Sequence, residues 1–283
     1  MRFGKIQYLN LMPFDVFLRS CPIPTRYKSA AFANRSYPSR LNQSFLFHRI
    51  DAGFISTIAG YTAHRKQRGT QAGIVAKGAV WSVLSLEEED QVTQSHKVDS
   101  INGAQTLKTL AQDSRIFTNT KTKPRKDYQS DTSNALSTIL GLQGRVLIGD
   151  RALQYRFAGG KAIDMGQAWW EKHRLPFVFG RLCYNKHAHF YTNIARTFVK
   201  KRVKIPHYIL QTRAKACGIP SAYVREYLTH IHYHIQAKER IGLERFYRTL
   251  RLQAIKPPSR IYPRNVNSSK CALNAPYKDY SNV

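Results

Sequence analysis

Five short polar side chains stand where this chain would present them to a small molecule. Asn10 closes the strand-like MRFGKIQYLN and opens the helix-like LMPFDVFLRS, Ser56 ends IDAGFIS, and Ser82 follows the apolar run AGIVAKGAVW. Thr132 and Ser133 lie at the head of DTSNALSTILGL. An Asn at a strand end both donates and accepts, so it can grip a hydroxyl and a carboxylate together. Hydroxyls beside the free backbone amides of a helix start make an anion site. Each residue also has a plainer use: Asn10 as cap of the helix over 11–20, Ser56 and Ser82 as turn residues, and one hydroxyl at 132–133 as an N-cap. Asn10 and Ser56 at the carboxyl ends of two strands point to a small-molecule cleft.

Other chemistries find no support. No GxGxxG follows a strand and no Walker loop is present, so no nucleotide cofactor is indicated. GxSxG and a Ser-His-Asp order are missing as well. The carboxylates Asp15, Asp51, Asp150 and Asp164 are scattered, and Asp51 and Asp150 read as structural. An enzyme built from this chain would lack an obvious general base of its own. His230, His232 and His234 resemble a metal cluster, but on a helix only the first and last share a face, and no HEXXH accompanies them. No metal is expected there. His173 and Arg174, before LPFVFG, are a further pair that could approach a cleft.

The elements that position these groups alternate. Residues 1–10 read as a strand, 11–20 as a helix with Pro13 in its first turn, 38–50 as an amphipathic helix capped by Ser39, and 52–55 as a buried strand. Residues 72–86 hold one or two strands. The segment 87–130 opens on Glu87, Glu88, Glu89 and Asp90 and turns basic, with a helix-like piece near Ala104–Leu110 and a strand-like 115–118. A capped helix over 131–142, a strand ending at Asp150, a short helix, then a turn, helix and strand to Tyr184 follow. Residues 187–252 read as helical. The tail after Lys256, with four prolines among Asn, Ser and Lys, reads as disordered. Strand–helix alternation implies an α/β architecture with largely parallel sheets.

The 283 residues carry 45 Lys and Arg against 17 Asp and Glu, a net charge of +28. Such a field favours anionic partners without choosing among nucleic acid, membrane surface and small anions. Cys21, Cys183, Cys217 and Cys271 form no CxxC pair, which fits reduced thiols in the cytoplasm. No early apolar run suits a signal peptide, and none approaches the ~18 residues of a membrane span.

Several motifs combine into a resemblance: YLNLMPF (8–14), PS-x-L-N (38–42), RIDAGFISTIAGY (49–61), WSVLSL (81–86), SDTSNAL (130–136), VLIGDRAL (146–153), LPFVFGRLCY (175–184) and GLERFY (242–247). Together they resemble the futalosine-pathway menaquinone family, on its chorismate-dehydrating side rather than its dihydroxynaphthoate-forming side. The resemblance implies a two-lobed, periplasmic-binding-protein type II α/β fold with ligand between the lobes. One lobe would be 1–84 plus 185–252, the other 85–184, with crossovers near 82–88 and 178–186 and a basic tail over 253–283. It implies chorismate as substrate, Asn10 as the catalytic residue that orients hydroxyl and carboxylate, and Ser82, Thr132 and Ser133 as substrate-binding groups; Ser56 is counted with them from its place at the strand tip. It also implies no cofactor, no nucleic-acid partner, and elimination assisted by the substrate's own carboxylate. The 87–130 segment is longer and more polar than the family's usual form, and the tail has no counterpart in it. A non-catalytic anion binder of the same fold, the sibling synthase and a basic nucleic-acid binder stay open as alternatives, as does a monomer or dimer.

Overall fold

The computed structural model describes residues 1–86 and 126–260. The expected helix near Ala104–Leu110, the strand over 115–118 and the tail beyond residue 260 lie outside the described residues. The chain begins with β1 (Phe3–Ile6), a 3-10 turn over Leu9–Leu11 and α1 (Met12–Ser20), with Pro13 in the first turn where no backbone donor is needed. Next come α2 (Thr25–Ala33), β2 (Asn34–Ser36), α3 (Pro38–Leu46), β3 (Ala52–Ser56), α4 (Tyr61–Arg65) and β4 (Gly69–Ala76). A second unit follows: β5 (Val83–Leu86), α5 (Asp131–Leu140), β6 (Arg145–Ile148), α6 (Gly149–Phe157), β7 (Ala162–Asp164) and α7 (Met165–His173). The chain then returns through β8 (Phe177–Tyr184), α8 (Ala188–Lys200), α9 (His207–Cys217), α10 (Ser221–Thr229), β9 (Ile231–His234) and α11 (Ala237–Leu252).

Two sheets result. The larger has the order β2-β1-β3-β8-β4-β9 and the smaller β6-β5-β7. This is the two-sheet α/β plan with two crossovers. Three expectations need correction. The sheets are not largely parallel: among the described residues only β1–β2 and β1–β3 run parallel, while β3–β8, β4–β8, β4–β9, β5–β6 and β5–β7 are antiparallel. The chain changes sheets twice, so β8 enters the larger sheet against its neighbours rather than by a helical return to the same side. Residues 177–184, expected at the end of the second lobe, are β8, bonded between β3 and β4. The stretch 231–234, expected to be helical, is β9 at a sheet edge, where pairing with β4 outweighs its local spacing.

The outgoing crossover, residues 77–82, is pinned by one carboxylate. Asp164 caps α7 by accepting from Gly166 N and Gln167 N, each at 3.0 Å, and also accepts from Val80 N at 3.0 Å and Trp81 N at 2.7 Å. Trp81 sits at a φ of 63°. An aromatic core lies on the larger sheet, with the Phe14 ring 4.9 Å from Phe54 and 5.0 Å from Phe198. A second gathers Trp169, Phe177 and Phe246, from α7, β8 and α11, and so joins the two sheets' helices. Burial of each such ring contributes about 1.5–3 kcal/mol. Among the described residues no helix is long and apolar enough to cross a membrane. Cys21, Cys183 and Cys217 are buried and unpaired, and burial pushes the Cys183 thiol up to about 11.

Candidate functional site

A cavity of about 530 Å³, open mouth included, lies between the two sheets. The larger sheet supplies Ile6, Tyr8 and Asn10 from the end of β1, Ser56 from the tip of β3, Ile74 from β4, and Phe179 and Gly180 from β8. The crossover supplies Val80 and Ser82, and the smaller unit supplies Val83, Ile148, Gly149, Ser130 and Ser133. The aliphatic side chains and the Phe179 ring form a slot suited to a flat carbocycle, and the polar atoms stand at intervals around it.

The hydroxyls share one hydrogen-bond logic. Ser56 Oγ accepts from Asn42 Nδ2 at 2.8 Å, while Asn42 Oδ1 takes the Ser56 N–H at 3.1 Å. Ser82 Oγ accepts from Tyr227 Oη at 3.0 Å. Ser133 Oγ accepts from Ser130 Oγ at 2.8 Å, and Ser130 Oγ accepts from Ser133 N at 3.1 Å. Each of the three serines is thus engaged as an acceptor by a protein donor. Its own hydroxyl hydrogen is left to be given to whatever fills the cavity. Asn10 is held by its backbone: its carbonyl accepts from Tyr233 Oη at 2.5 Å, and the preceding Leu9 N donates to Asp150 Oδ1 at 3.0 Å. Its side-chain Oδ1 is buried and has no hydrogen-bond partner among the described residues. A buried amide oxygen left in that state is a group awaiting a donor.

The structure therefore brings Asn10, Ser56, Ser82 and Ser133 around one space. Thr132 is not among them. Its Oγ1 accepts from Ile58 N at 3.0 Å, so it ties the start of α5 to the loop after β3. Neighbouring positions on a helix face about 100° apart, and only one of the pair can face the cavity. The cap of α5 is Ser130, not Asp131 or Thr132. Ser39, expected to cap α3, instead donates to the Tyr128 carbonyl at 2.8 Å, and Tyr37 holds the cap position. His173, Arg174 and the three histidines at 230–234 do not line the cavity. His232 and His234 lie on β9, and His232 Nε2 faces Glu239 at 3.3 Å.

Residues missed from sequence include Tyr8, Ser130, Asn42 and Tyr227. The first three fall inside the motifs YLNLMPF, SDTSNAL and PS-x-L-N, which were their signal. Tyr227, 145 residues from Ser82, had none. Tyr8 Oη donates to Gln129 Oε1 at 2.8 Å, and burial, reinforced by Asp127, pushes the phenol's pKa up, so it stays protonated. Among the described residues, none that lines the cavity carries a formal charge. An anion here would be met by hydroxyl hydrogens and by the amino ends of α5 and α6, where Ser133 and Gly149 lie.

Fold and site together define a two-sheet α/β protein with a hydroxyl-lined cleft between the sheets. The chain belongs to the menaquinone biosynthesis family, whose model matches residues 1–251. It is 37% identical over 249 residues to a chorismate dehydratase of Campylobacter jejuni, covering 87% of this chain and 96% of that one. It is 22% identical over 275 residues to a chorismate dehydratase of Thermus thermophilus, covering 88% and 94%. A crystal structure of a protein from Archaeoglobus fulgidus shares the fold, with a TM-score of 0.59 and 11% identity over 90% of this chain and 97% of that one.

Proposed function

We propose that this chain is a chorismate dehydratase of menaquinone biosynthesis by the futalosine route, converting chorismate to 3-[(1-carboxyvinyl)oxy]benzoate and water. Near-full-length likeness to a chorismate dehydratase supports the substrate. The observation that carries the reading is the set of three serines, each accepting from a neighbour and free to donate, around an apolar slot with no charged side chain among the described residues that line it. Such a site holds a cyclic dianion without supplying a base.

The chemistry asks for little more. The C3 hydrogen of chorismate is vinylogously acidic, because its electrons spread through C1=C2 into the ring carboxylate. In the proposed sequence the substrate's enolpyruvyl carboxylate takes that proton. The pair then forms C3=C4 as the C4–O bond breaks, and the ring becomes aromatic. The proton removed and the hydroxyl released balance as one water. Asn10 Oδ1 accepts from the C4 hydroxyl and its Nδ2 holds a carboxylate. Ser56, Ser82 and Ser133 donate to the carboxylates, with charge stabilised in a site already arranged for it. The lobes that close on the substrate carry the larger and the smaller sheet. Three unpaired buried thiols suit a reducing, cytoplasmic setting.

Incubation of the purified chain with chorismate tests the reading. Stoichiometric formation of the aromatic enol ether, followed by proton NMR, is the expected result. Saturable chorismate binding without turnover would make the chain a binder of this fold and overturn it.

A further inference from the structure

Three consecutive residues at the start of α6 meet the turn that follows β1. Gly149, at a φ of 64°, lies against the Tyr8 ring, and a Cβ there would stand 2.8 Å from Tyr8 Cε1 and Cζ. Asp150 Oδ1 accepts from Leu9 N at 3.0 Å. Arg151 Nη2 donates to Gln129 Oε1 at 2.9 Å, the same oxygen that accepts from Tyr8 Oη, and to Asp127 Oδ2 at 2.6 Å. Residues 149–151 belong to the unit with the smaller sheet and Tyr8–Asn10 to the unit with the larger. From its own unit, Asn10 is held by the Tyr233 hydroxyl on its carbonyl. Asp150 is half-buried, and a carboxylate drawn partly out of water needs hydrogen bonds to repay the cost; its Oδ1 accepts from one main-chain amide, that of Leu9. The elimination described above uses neither Asp150 nor Arg151.

We propose that Asp150 is a positioning residue that fixes the 3-10 turn presenting Asn10 to the cavity. Arg151 does the same for Tyr8 through Gln129, so that the site is complete only when the two units are together. The inference deepens the reading of Asn10 as the group that holds the reacting hydroxyl, and rests on it. Asp150 itself does not touch substrate. Its oxygen acts by the direction it gives the Leu9 N–H, which a neutral amide oxygen can also give.

The test uses the full chain with Asp150→Ala and Asp150→Asn. Asp150→Ala should lower kcat about 10- to 100-fold with KM within about twofold, the cost of a displaced catalytic group. Asp150→Asn keeps an accepting Oδ1 and should stay within about threefold of the parent kcat. Amide exchange at Leu9, read by NMR, should quicken about tenfold in Asp150→Ala and stay slow in Asp150→Asn. Unchanged kcat in Asp150→Ala, or equal losses in both variants, would overturn the proposal while leaving chorismate dehydration standing. If the parent protein does not turn over chorismate, the functional reading fails, and Leu9 exchange still decides whether Asp150 holds the turn. Should Asp150→Ala not fold, Gln129→Ala reads the other arm: a kcat loss without a KM change supports the clamp, and wild-type kinetics oppose it.

Discussion

Tyr227 Oη donates to Ser82 Oγ across 3.0 Å, and both residues are buried. Burial pushes the tyrosine pKa well up, against a smaller opposing effect of the Ser82 hydrogen bond, so the phenol keeps its proton and its role as donor. Ser82 is then committed to donate toward the cavity. Tyr227→Phe retains the ring and removes only this donor. The expected outcome is a KM for chorismate raised about five- to tenfold with a smaller change in kcat, from the roughly 1 kcal/mol of one hydrogen bond. Ser82→Ala should move KM in the same direction. Steady-state kinetics on both variants check this, and an unchanged KM in either would remove Ser82 from the substrate contacts.

Asn10→Ala should separate activity from folding. The side-chain oxygen has no hydrogen-bond partner among the described residues, so its loss breaks no hydrogen bond to them. The melting temperature should therefore not fall. Turnover should drop about 100- to 1,000-fold, the usual consequence of removing a group that stabilises developing charge. A thermal melt beside a progress curve decides it. Normal turnover in the variant would end the catalytic role of Asn10.

Much of this site was legible because strand ends carry polar residues for a reason. Asn10, Ser56, Ser82 and Ser133 each follow an apolar run or open a helix, and four independent local signals converge on one cavity. What was not legible depends on distance along the chain. Whether Ser133 or Thr132 turns inward is decided by the Ile58 amide, 74 residues away. Tyr8 reaches Gln129 across 121 residues, and no local pattern encodes that pairing. The strand Ile231–His234 reads locally as the continuation of α10, and only the free edge of β4 makes it a strand. Parallel strands were expected from alternation alone, because alternation does not record that the chain leaves one sheet for another and comes back reversed.

Stability should depend on pH through His173. Its Nε2 is buried without a partner among the described residues, and its ring lies 4.1 Å from the Trp169 ring. Burial, with Lys172 and Arg245 adding to it, lowers the imidazole pKa below 6.5. The folded state therefore releases the proton that the unfolded chain still binds. Stability rises as pH increases through the window between the lowered value and 6.5, and that gain is lost on acidification. His173→Gln should flatten this part of the curve of melting temperature against pH. A variant curve parallel to the parent's over pH ~5–7 would show that His173 is not a source of the dependence.

Gly149→Ala distinguishes a backbone effect from a cavity effect. Alanine at a φ of 64° costs about 1–2 kcal/mol in backbone strain. Its Cβ would also stand 2.8 Å from two atoms of the Tyr8 ring, too close to stay, so the ring that lines the cavity has to shift. Gly141→Ala is the matched control. It adopts a φ of 74° at the end of α5, and a Cβ there meets nothing within 4 Å. Both variants should lose thermal stability by calorimetry, Gly149→Ala the more because the clash with Tyr8 adds to the strain. Only Gly149→Ala should also lose kcat/KM, by about tenfold or more, because only there does the added carbon move a wall of the site. Equal kinetics in the two variants would mean that the Tyr8 ring can move without consequence, and that the close approach at Gly149 serves packing alone.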